Sequence, residues 1–385
     1  MFLALRALAF QRSRFLLVGL VIGLLALLTV MLSGLSSGLV NDGVSGLKNL
    51  PVTAMAFSAG TKTDNAFSQS VVDEKQRAAW AGQPQVADAQ LLGVSIVNTR
   101  KADATPVDLT LFGVAPDSFL APKVDGRPAL TEPGDVVLSA TARKTGVRVG
   151  DVLTLDRVGT TLRVVGFTAQ QDTFGHVDVG YLPLRTWQYI ASGRSAAGAP
   201  TAAAIAADAL DTASVVALRS AAGSTLAASG IDVAAGDQAA DTTTRSLQAT
   251  FASSPGYTAE TTTISMITAF LYVIAALVIG AFFTVWTVQR QHELAVLRAV
   301  GAPTGFLLRD GLTQAAVLLV TFTAVGAGIG LGLGALIPDG VPFALEAAPV
   351  AGAAVLMITL GLVGAGLAVL RIARIDPLTA LGGQR

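Results

Sequence analysis

Four stretches of the chain contain no Asp, Glu, Lys or Arg. They lie between Arg14 and Asp42, Glu260 and Arg290, Asp310 and Asp339, and Glu346 and Arg371, and each is filled with Leu, Val, Ala, Ile, Gly and Phe. A helix rises about 1.5 Å per residue, so about 20 apolar residues cross a hydrocarbon core about 30 Å thick. The pattern predicts a helical membrane protein with four transmembrane helices: one within residues 1–39, then 261–288, 311–337 and 347–370. Water-soluble helices seldom stay uncharged beyond about 14 residues, and four such runs together argue against them. A signal peptide is the other reading of the first run, because Arg6, Arg12 and Arg14 precede it. Its apolar stretch exceeds the usual 7–15 or so residues, and Ser33-Gly34-Leu35-Ser36-Ser37-Gly38 is no Ala-x-Ala site, so a retained helix is expected.

Between the first two runs the pattern changes. From Gln90 to Leu184 short β-type segments alternate with turns: Leu91–Val97, Val107–Phe112 and Leu162–Phe167 read as strands, and Asp125-Gly126, Pro133-Gly134 and Val158-Gly159 as turns. Asp73 to Ala81 and the Ala-rich stretch from Thr201 to Ser229 read as helices, with Gly230 as a stop before a strand-like Ile231-Asp232-Val233. A large extracytoplasmic α+β domain over 40–260 is expected, inserted between helices 1 and 2. Ser246 to Phe270 reads as a stalk, and Pro255-Gly256 as the turn into the second membrane helix.

Charge sets the expected orientation. Arg6, Arg12 and Arg14 precede the first span, Arg290, Arg298 and Arg309 separate the second and third, and Arg371, Arg374 and Arg385 follow the fourth. The short loop 338–346 has no Lys or Arg. Positive residues mark the cytoplasmic side, so both termini, the segment 289–310 and the tail 371–385 are placed there, in a multi-pass protein of the plasma membrane.

Composition narrows the chemistry. Of 385 residues, 52% are hydrophobic and 14% charged, with 26 basic and 26 acidic side chains, so no global field gathers nucleic acid. The absence of cysteine removes disulfides, thiolate metal sites and thiol nucleophiles. There is no Gly-x-x-x-x-Gly-Lys-Ser/Thr loop and no Gly-x-Ser-x-Gly. The two histidines, His176 and His292, have no partner at metal-ligand spacing, so neither an enzyme nor a resident cofactor or metal is expected. The spans lack mid-depth ionisable residues, which argues against a proton-coupled carrier. They carry small residues instead: Gly19 and Gly23, then Gly326, Gly330 and Gly334, then Gly352 and Gly361. These suit close helix packing within one chain, or else a dimer seam.

The most specific segment runs from Gln289 to Pro303. Leu294, Leu297 and Val300 fall on one side of a short helix and Arg290 and Glu293 on the other, closed by Gly301 and Pro303. Glu293, followed by Leu297-Arg298-Ala299-Val300-Gly301-Ala302, resembles the coupling segment of MacB/FtsX-type (type VII) ABC transporter permeases. Val149–Leu155 with Val164–Phe167 is similar to that family's outer domain, and Pro377-Leu378-Thr379-Ala380-Leu381 to its C-terminal signature. The order of one span, a large domain and three spans is the family's order too. The resemblance implies a homodimer driven by a separate cytosolic ABC ATPase, docked on Arg290, His292, Glu293, Leu294, Leu297, Arg298 and Gly301. It further implies mechanotransmission, in which ATP-driven closure inside moves the outer domains.

Within that family the head, Arg14–Leu17, Leu32–Asp42 and Leu47–Pro51, is similar to the haem-export permeases of Gram-positive bacteria. That similarity implies haem as the transported substrate; a related amphiphile, a lipoprotein, a peptide or an antibiotic, or control of a cell-wall enzyme, are the alternatives. The residues supply candidate contacts. Met31 near the end of the first span and Glu260 at the start of the second are expected at similar depth, where a thioether and a carboxylate suit haem iron, and Tyr257 could add stacking or a phenolate. Packing for Met31 and a helix-dipole role for Glu260 account for the same residues without a ligand.

Overall fold

A computed structural model of the chain describes residues 12–222, 225–289, 296, 300–338 and 340–373. Contacts divide it into a membrane unit, 1–39 with 261–385, and an α+β unit, Val40–Glu260.

The membrane unit contains four apolar helices: the first part of α1 (Arg12–Lys48), α5 (Tyr257–Gln289), α6 (Thr304–Gly334) and α7 (Ala347–Ala373). All four contribute to one core, with Ile22 and Ala26 from α1, Ile279 and Phe283 from α5, Ala315 and Leu319 from α6 and Met357 and Ala365 from α7. Lipid tails are as apolar as leucine, so these contacts rest on shape. Small residues supply it. A Cβ on Gly326 of α6 would lie 2.1 Å from the Gly23 carbonyl oxygen of α1, and one on Gly19 would meet the Phe322 ring. Gly361 of α7 faces Leu319 and Ile279 in the same way, whereas Gly352 has open space around it. The packing use of these glycines within one chain is therefore realised, Gly352 excepted. The segment joining α6 to α7 returns across α1: the Ala344 N–H donates to the Gly34 carbonyl at 3.0 Å, and the Phe343 ring lies where a Cβ on Gly34 would be.

The α+β unit is built on ten strands: β1 (Ala54–Ser58), β2 (Val86–Arg100), β3 (Pro106–Val114), β4 (Asp135–Leu138), β5 (Val152–Leu155), β6 (Thr161–Phe167), β7 (Thr173–Phe174), β8 (Val177–Pro183), β9 (Val215–Ser220) and β10 (Thr242–Ser246). The long β2 belongs to two groups. Its first half continues through β9 and β1 to β10 as an antiparallel sheet. Its second half pairs with β3 and β5, and the pairings β3–β8, β8–β4, β4–β6 and β6–β5 close a six-stranded ring. The ring encloses Leu109, Leu111, Leu138, Leu153, Leu162 and Val164. Helix α3 (Leu184–Ala191) sets Trp187 against Gly93 and Gly113, where a Cβ would overlap its indole.

Two sequence expectations are corrected here. The stretch from Thr201 to Ser229 is not helical throughout: Val215–Ser220 is the strand β9, paired on both sides. Its residues are buried alternately, Val215 and Ala217 on one face and Val216 and Leu218 on the other. A strand covered on both faces reads as a continuous apolar run and loses its period-two signal. Likewise Ile231-Asp232-Val233 is not a strand. Gly230, at φ +70°, ends a short turn of helix, and Asp232 accepts from the Ala235 N–H to cap α4 (Val233–Ala240). At the other predicted helix Asp73 is the cap rather than the first residue of α2 (Glu74–Ala81), bonded reciprocally with Gln76.

Candidate functional site

The first membrane helix does not stop where its apolar run does. At 37 residues α1 is about 55 Å long, well beyond the hydrocarbon thickness, and its last turns, from Val40 to Lys48, belong to the α+β unit. The division between the two units falls after Leu39, within the helix. The polar residues Asn41, Asp42 and Ser45 continue the helix because they face a protein partner instead of lipid. That partner is the β7–β8 hairpin. Ser45 Oγ lies 2.8 Å from Thr173 Oγ1 and accepts from the Thr173 N–H at 2.9 Å, while the Asn49 amide donates to Asp172 Oδ1 at 2.8 Å. Gly46 leaves room for Val179, and the Gly43 carbonyl accepts from the Gly175 N–H at 2.9 Å and from Ser254 Oγ at 3.0 Å.

The second membrane helix begins beside the same hairpin. No continuous stalk runs from Ser246; the chain leaves β10 through two short helical turns, and Pro255-Gly256, with Gly256 at φ +80°, precedes Tyr257 at the start of α5. Glu260 sits in the first turn of that helix, where the helix dipole favours an acid.

Between the two helix ends stands His176. Gly175 and His176 form the two-residue loop of the β7–β8 hairpin, with φ of +61° and +63°. A loop of this length needs positive φ at both positions to match the strand twist, and histidine adopts that conformation at a cost. The imidazole reaches both helices. Nδ1 lies 3.0 Å from Asp42 Oδ2 on α1, and Nε2 lies 3.1 Å from Glu260 Oε1 on α5. About a third of each of the three side chains is exposed, at 31%, 28% and 37% for His176, Asp42 and Glu260.

The rest of the cluster is acidic. Gln171 donates to Asp42 Oδ1 at 3.1 Å. Burial pushes the Asp172 carboxyl above the usual carboxylate range against the pull of Asn49 and Thr168. Burial does the same to Asp178, opposed by Thr141 and Ser139 and reinforced by the negative charges of Asp42 and Asp172. A carboxyl with a raised folded-state pKa is destabilising when ionised, and that penalty develops as pH rises above about 3.9, the unfolded value. Asp178→Asn, which keeps an oxygen for Thr141, should therefore raise the thermal midpoint of the purified chain near neutral pH and lose this advantage in acid. An equal gain at both pH values would show that ionisation is not the cause.

Of the substrate contacts expected from sequence, Glu260 and Tyr257 lie in this cluster's neighbourhood, Tyr257 half-buried with its ring edge-on to Phe251 at 6.3 Å. Met31 is half-buried on the part of α1 that belongs to the membrane unit. Of the expected coupling residues, Arg290, His292, Glu293, Leu294, Leu297 and Arg298 lie outside the described residues; Gly301 is exposed at φ +100°, before Pro303 and the start of α6. His176 and Asp42 are the residues that sequence reasoning passed over. They stand 134 positions apart, and His176 stands 84 from Glu260; the one local signal was a Gly-His pair between two β-type runs.

Comparison with known proteins adds the following. Residues 265–377 match the FtsX-like permease C-terminal domain. Over 127 residues, 33% of this chain and 36% of theirs, the chain is 29% identical to proteins of Staphylococcus epidermidis and Staphylococcus haemolyticus that carry the name hemin transport system permease protein HrtB. The chain thus covers little more than a third of those relatives' length. Over 388 aligned positions, 100% of this chain and 99% of the other, it is 24% identical to an uncharacterized ABC transporter permease of Mycobacterium tuberculosis. Among solved structures, the extracellular domain of the noncanonic ABC-type transporter YknZ from Gram-positive bacteria aligns with 12% identity and a TM-score of 0.34, over 50% of this chain and 99% of that one. The periplasmic region of MacB from Actinobacillus actinomycetemcomitans aligns with the same identity and TM-score, over 53% and 94%. The FtsX-like segment thus spans α5 to α7, and from end to end the chain is similar to an ABC transporter permease.

Proposed function

We propose that this chain is the permease subunit of an efflux pump that extracts haem, or a similar flat amphiphile, from the outer leaflet. The observation that carries the substrate class is the similarity to relatives named for hemin transport. The sequence contains no phosphate-binding loop of its own, so ATP hydrolysis falls to a separate cytosolic subunit. In this reading both termini and the segment 289–310 are cytoplasmic, and the α+β unit lies outside. The permease works as a homodimer, and closure of the ATPase is relayed through the spans to the outer units without a channel for substrate.

Glu260 and Tyr257, in the first turn of α5, and Met31 on α1 are the proposed substrate contacts. A thioether and a carboxylate offer the iron one soft and one hard ligand, and the phenol ring offers a stacking face. A haemin titration of the purified chain in lipid nanodiscs, followed in the Soret band, tests this. A saturable spectral shift is expected, weakened about tenfold or more in the Met31→Ala, Glu260→Ala double variant, because metal ligands typically govern affinity at that scale. Absence of a shift with the unaltered chain would overturn the haem reading and favour a lipoprotein or peptide as the cargo.

A further inference from the structure

A groove of about 580 Å³ opens between α5 and α7 on the lipid-facing side of the membrane unit. It runs from Tyr272 to Thr284 on α5, about 18 Å at 1.5 Å per residue. Its shape follows from the way the two helices meet. No side chain fills the seam at Gly280 and Gly364: a Cβ on Gly364 would lie 3.0 Å from the Ala276 carbonyl oxygen, and one on Gly280 would lie 3.7 Å from the Gly364 carbonyl oxygen. Branched side chains stand on either side of this low floor, Val273 and Leu277 from α5 and Val363 and Leu367 from α7, and all four are more than half exposed. Each pair is four residues apart and so lies along one face of its helix. Two walls over a glycine floor make a slot, which suits a flat body better than a round one. Two polar side chains line it. Thr284 donates to the Gly280 carbonyl of its own helix at 2.8 Å. The Tyr272 hydroxyl, at the end nearer the start of α5, has no hydrogen-bond partner among the described residues. Hydrocarbon offers no water to replace one, so an occupant made only of lipid tails leaves that hydroxyl unsatisfied at a cost. Apolar walls with a single polar group to fix orientation are the usual make-up of a small-molecule site.

We propose that this groove holds the amphiphile while it is still in the membrane, as a planar porphyrin ring slotted between α5 and α7 with a carboxyl group on its edge hydrogen-bonded to the Tyr272 hydroxyl. The proposal rests on the reading of the cargo as haem or a similar flat amphiphile, and it adds a site to that reading. A carboxyl group in hydrocarbon is neutral, because burial disfavours the charged form. It then donates its O–H to the phenol oxygen or accepts the phenol O–H, and either arrangement gives the Tyr272 hydroxyl the partner it lacks. The polar edge of the ring lies at the Tyr272 end and the apolar body extends along the glycine seam toward Thr284. No bond to iron is involved, so the groove is separate from the contacts proposed for Met31 and Glu260.

Protoporphyrin IX, the ring without its iron, is the probe, because it gives Met31 and Glu260 no metal to hold. Its fluorescence is followed on titration into nanodiscs carrying the full chain, with empty nanodiscs as the measure of partition into lipid. Saturable binding of one ring per chain is expected. Gly280→Leu fills the slot from its floor, and since its Cβ makes only ordinary contact with Gly364 the helices need not move. It should weaken binding about tenfold or more, the scale of an overfilled site. Tyr272→Phe keeps the aromatic ring and removes the hydroxyl, and should weaken binding about three- to tenfold, the scale of one hydrogen bond. The Met31→Ala, Glu260→Ala double variant should bind the probe as the unaltered chain does. An unchanged thermal midpoint shows that each variant is folded. Retained probe binding in a chain that gives no haemin-dependent Soret shift would remove the iron contacts and support the groove. Three results would overturn the proposal. Binding no greater than that of empty nanodiscs would leave the slot to lipid tails. Binding indifferent to both Gly280→Leu and Tyr272→Phe would place the ring elsewhere. A change of oligomeric state in Gly280→Leu with probe binding intact would make the groove a seam between two copies of the chain.

Discussion

Gly326→Val should unfold the membrane unit at a markedly lower temperature than the unaltered chain. The backbones of α1 and α6 meet at this point: a Cβ on Gly326 would fall 2.1 Å from the Gly23 carbonyl oxygen, 2.8 Å from its carbon and 2.9 Å from its Cα. A flexible side chain could move aside, but a helix backbone cannot. The two helices must separate, which opens the core to which Ile22 and Ala26 of α1 and Ala315 and Leu319 of α6 all contribute. Overpacking of this kind destabilises by about 1–3 kcal/mol, and a clash with backbone belongs at the upper end. Gly328→Ala is the control, because nothing lies within 4 Å of a Cβ built there. Thermal unfolding in lipid nanodiscs should lower the midpoint for the first variant and leave the second close to the unaltered chain. Equal midpoints for Gly326→Val and the unaltered chain would mean that α1 and α6 do not approach at these glycines.

The second large effect is expected on coupling. In the proposed function Glu293 belongs to the segment that docks on the ATPase. Glu293→Lys would place like or unpaired charge in that contact, and losing one partner of a docked charge pair costs about 2–5 kcal/mol, where 1.4 kcal/mol is tenfold. The permease-dependent ATPase rate should therefore fall about tenfold or more, while the haemin-dependent spectral shift of the same variant is retained. An undiminished ATPase rate would remove Glu293 from the contact; loss of both signals would report a misfolded chain.

How far the sequence could be read depended on what kind of signal each part carried. The absence of charge over residues 15–41 and 261–289 shows directly in the residues, since a single Lys or Asp in hydrocarbon is expensive. The strands β3 and β6 were legible because alternation and flanking turns coincide in them. β9 was misread because both of its faces are buried, Val215 and Ala217 in one core with Phe67 and Phe112, and Val216 and Leu218 in another with Trp80 and Ile231. The continuation of α1 as a helix past residue 39 was not legible for a related reason. Asn41, Asp42 and Ser45 look like the polar residues that follow a span, and only a bonded partner hairpin explains why the helix continues through them.

Composition and order along the chain were enough to point to four spans, an inserted α+β domain and a likeness to FtsX-like permeases, because lipid solubility, strand period and short motifs are each carried by neighbouring residues. The contacts of His176 with Asp42 and Glu260 needed the fold. Their three members come from a helix end, a hairpin tip and a helix start separated by 134 and 84 positions, and a hydrogen bond across such distances leaves no trace in local pattern. The same holds for the meeting of Gly23 with Gly326: each glycine alone is one small residue among many in a span, and only the crossing of α1 and α6 makes the absence of a side chain there a structural requirement.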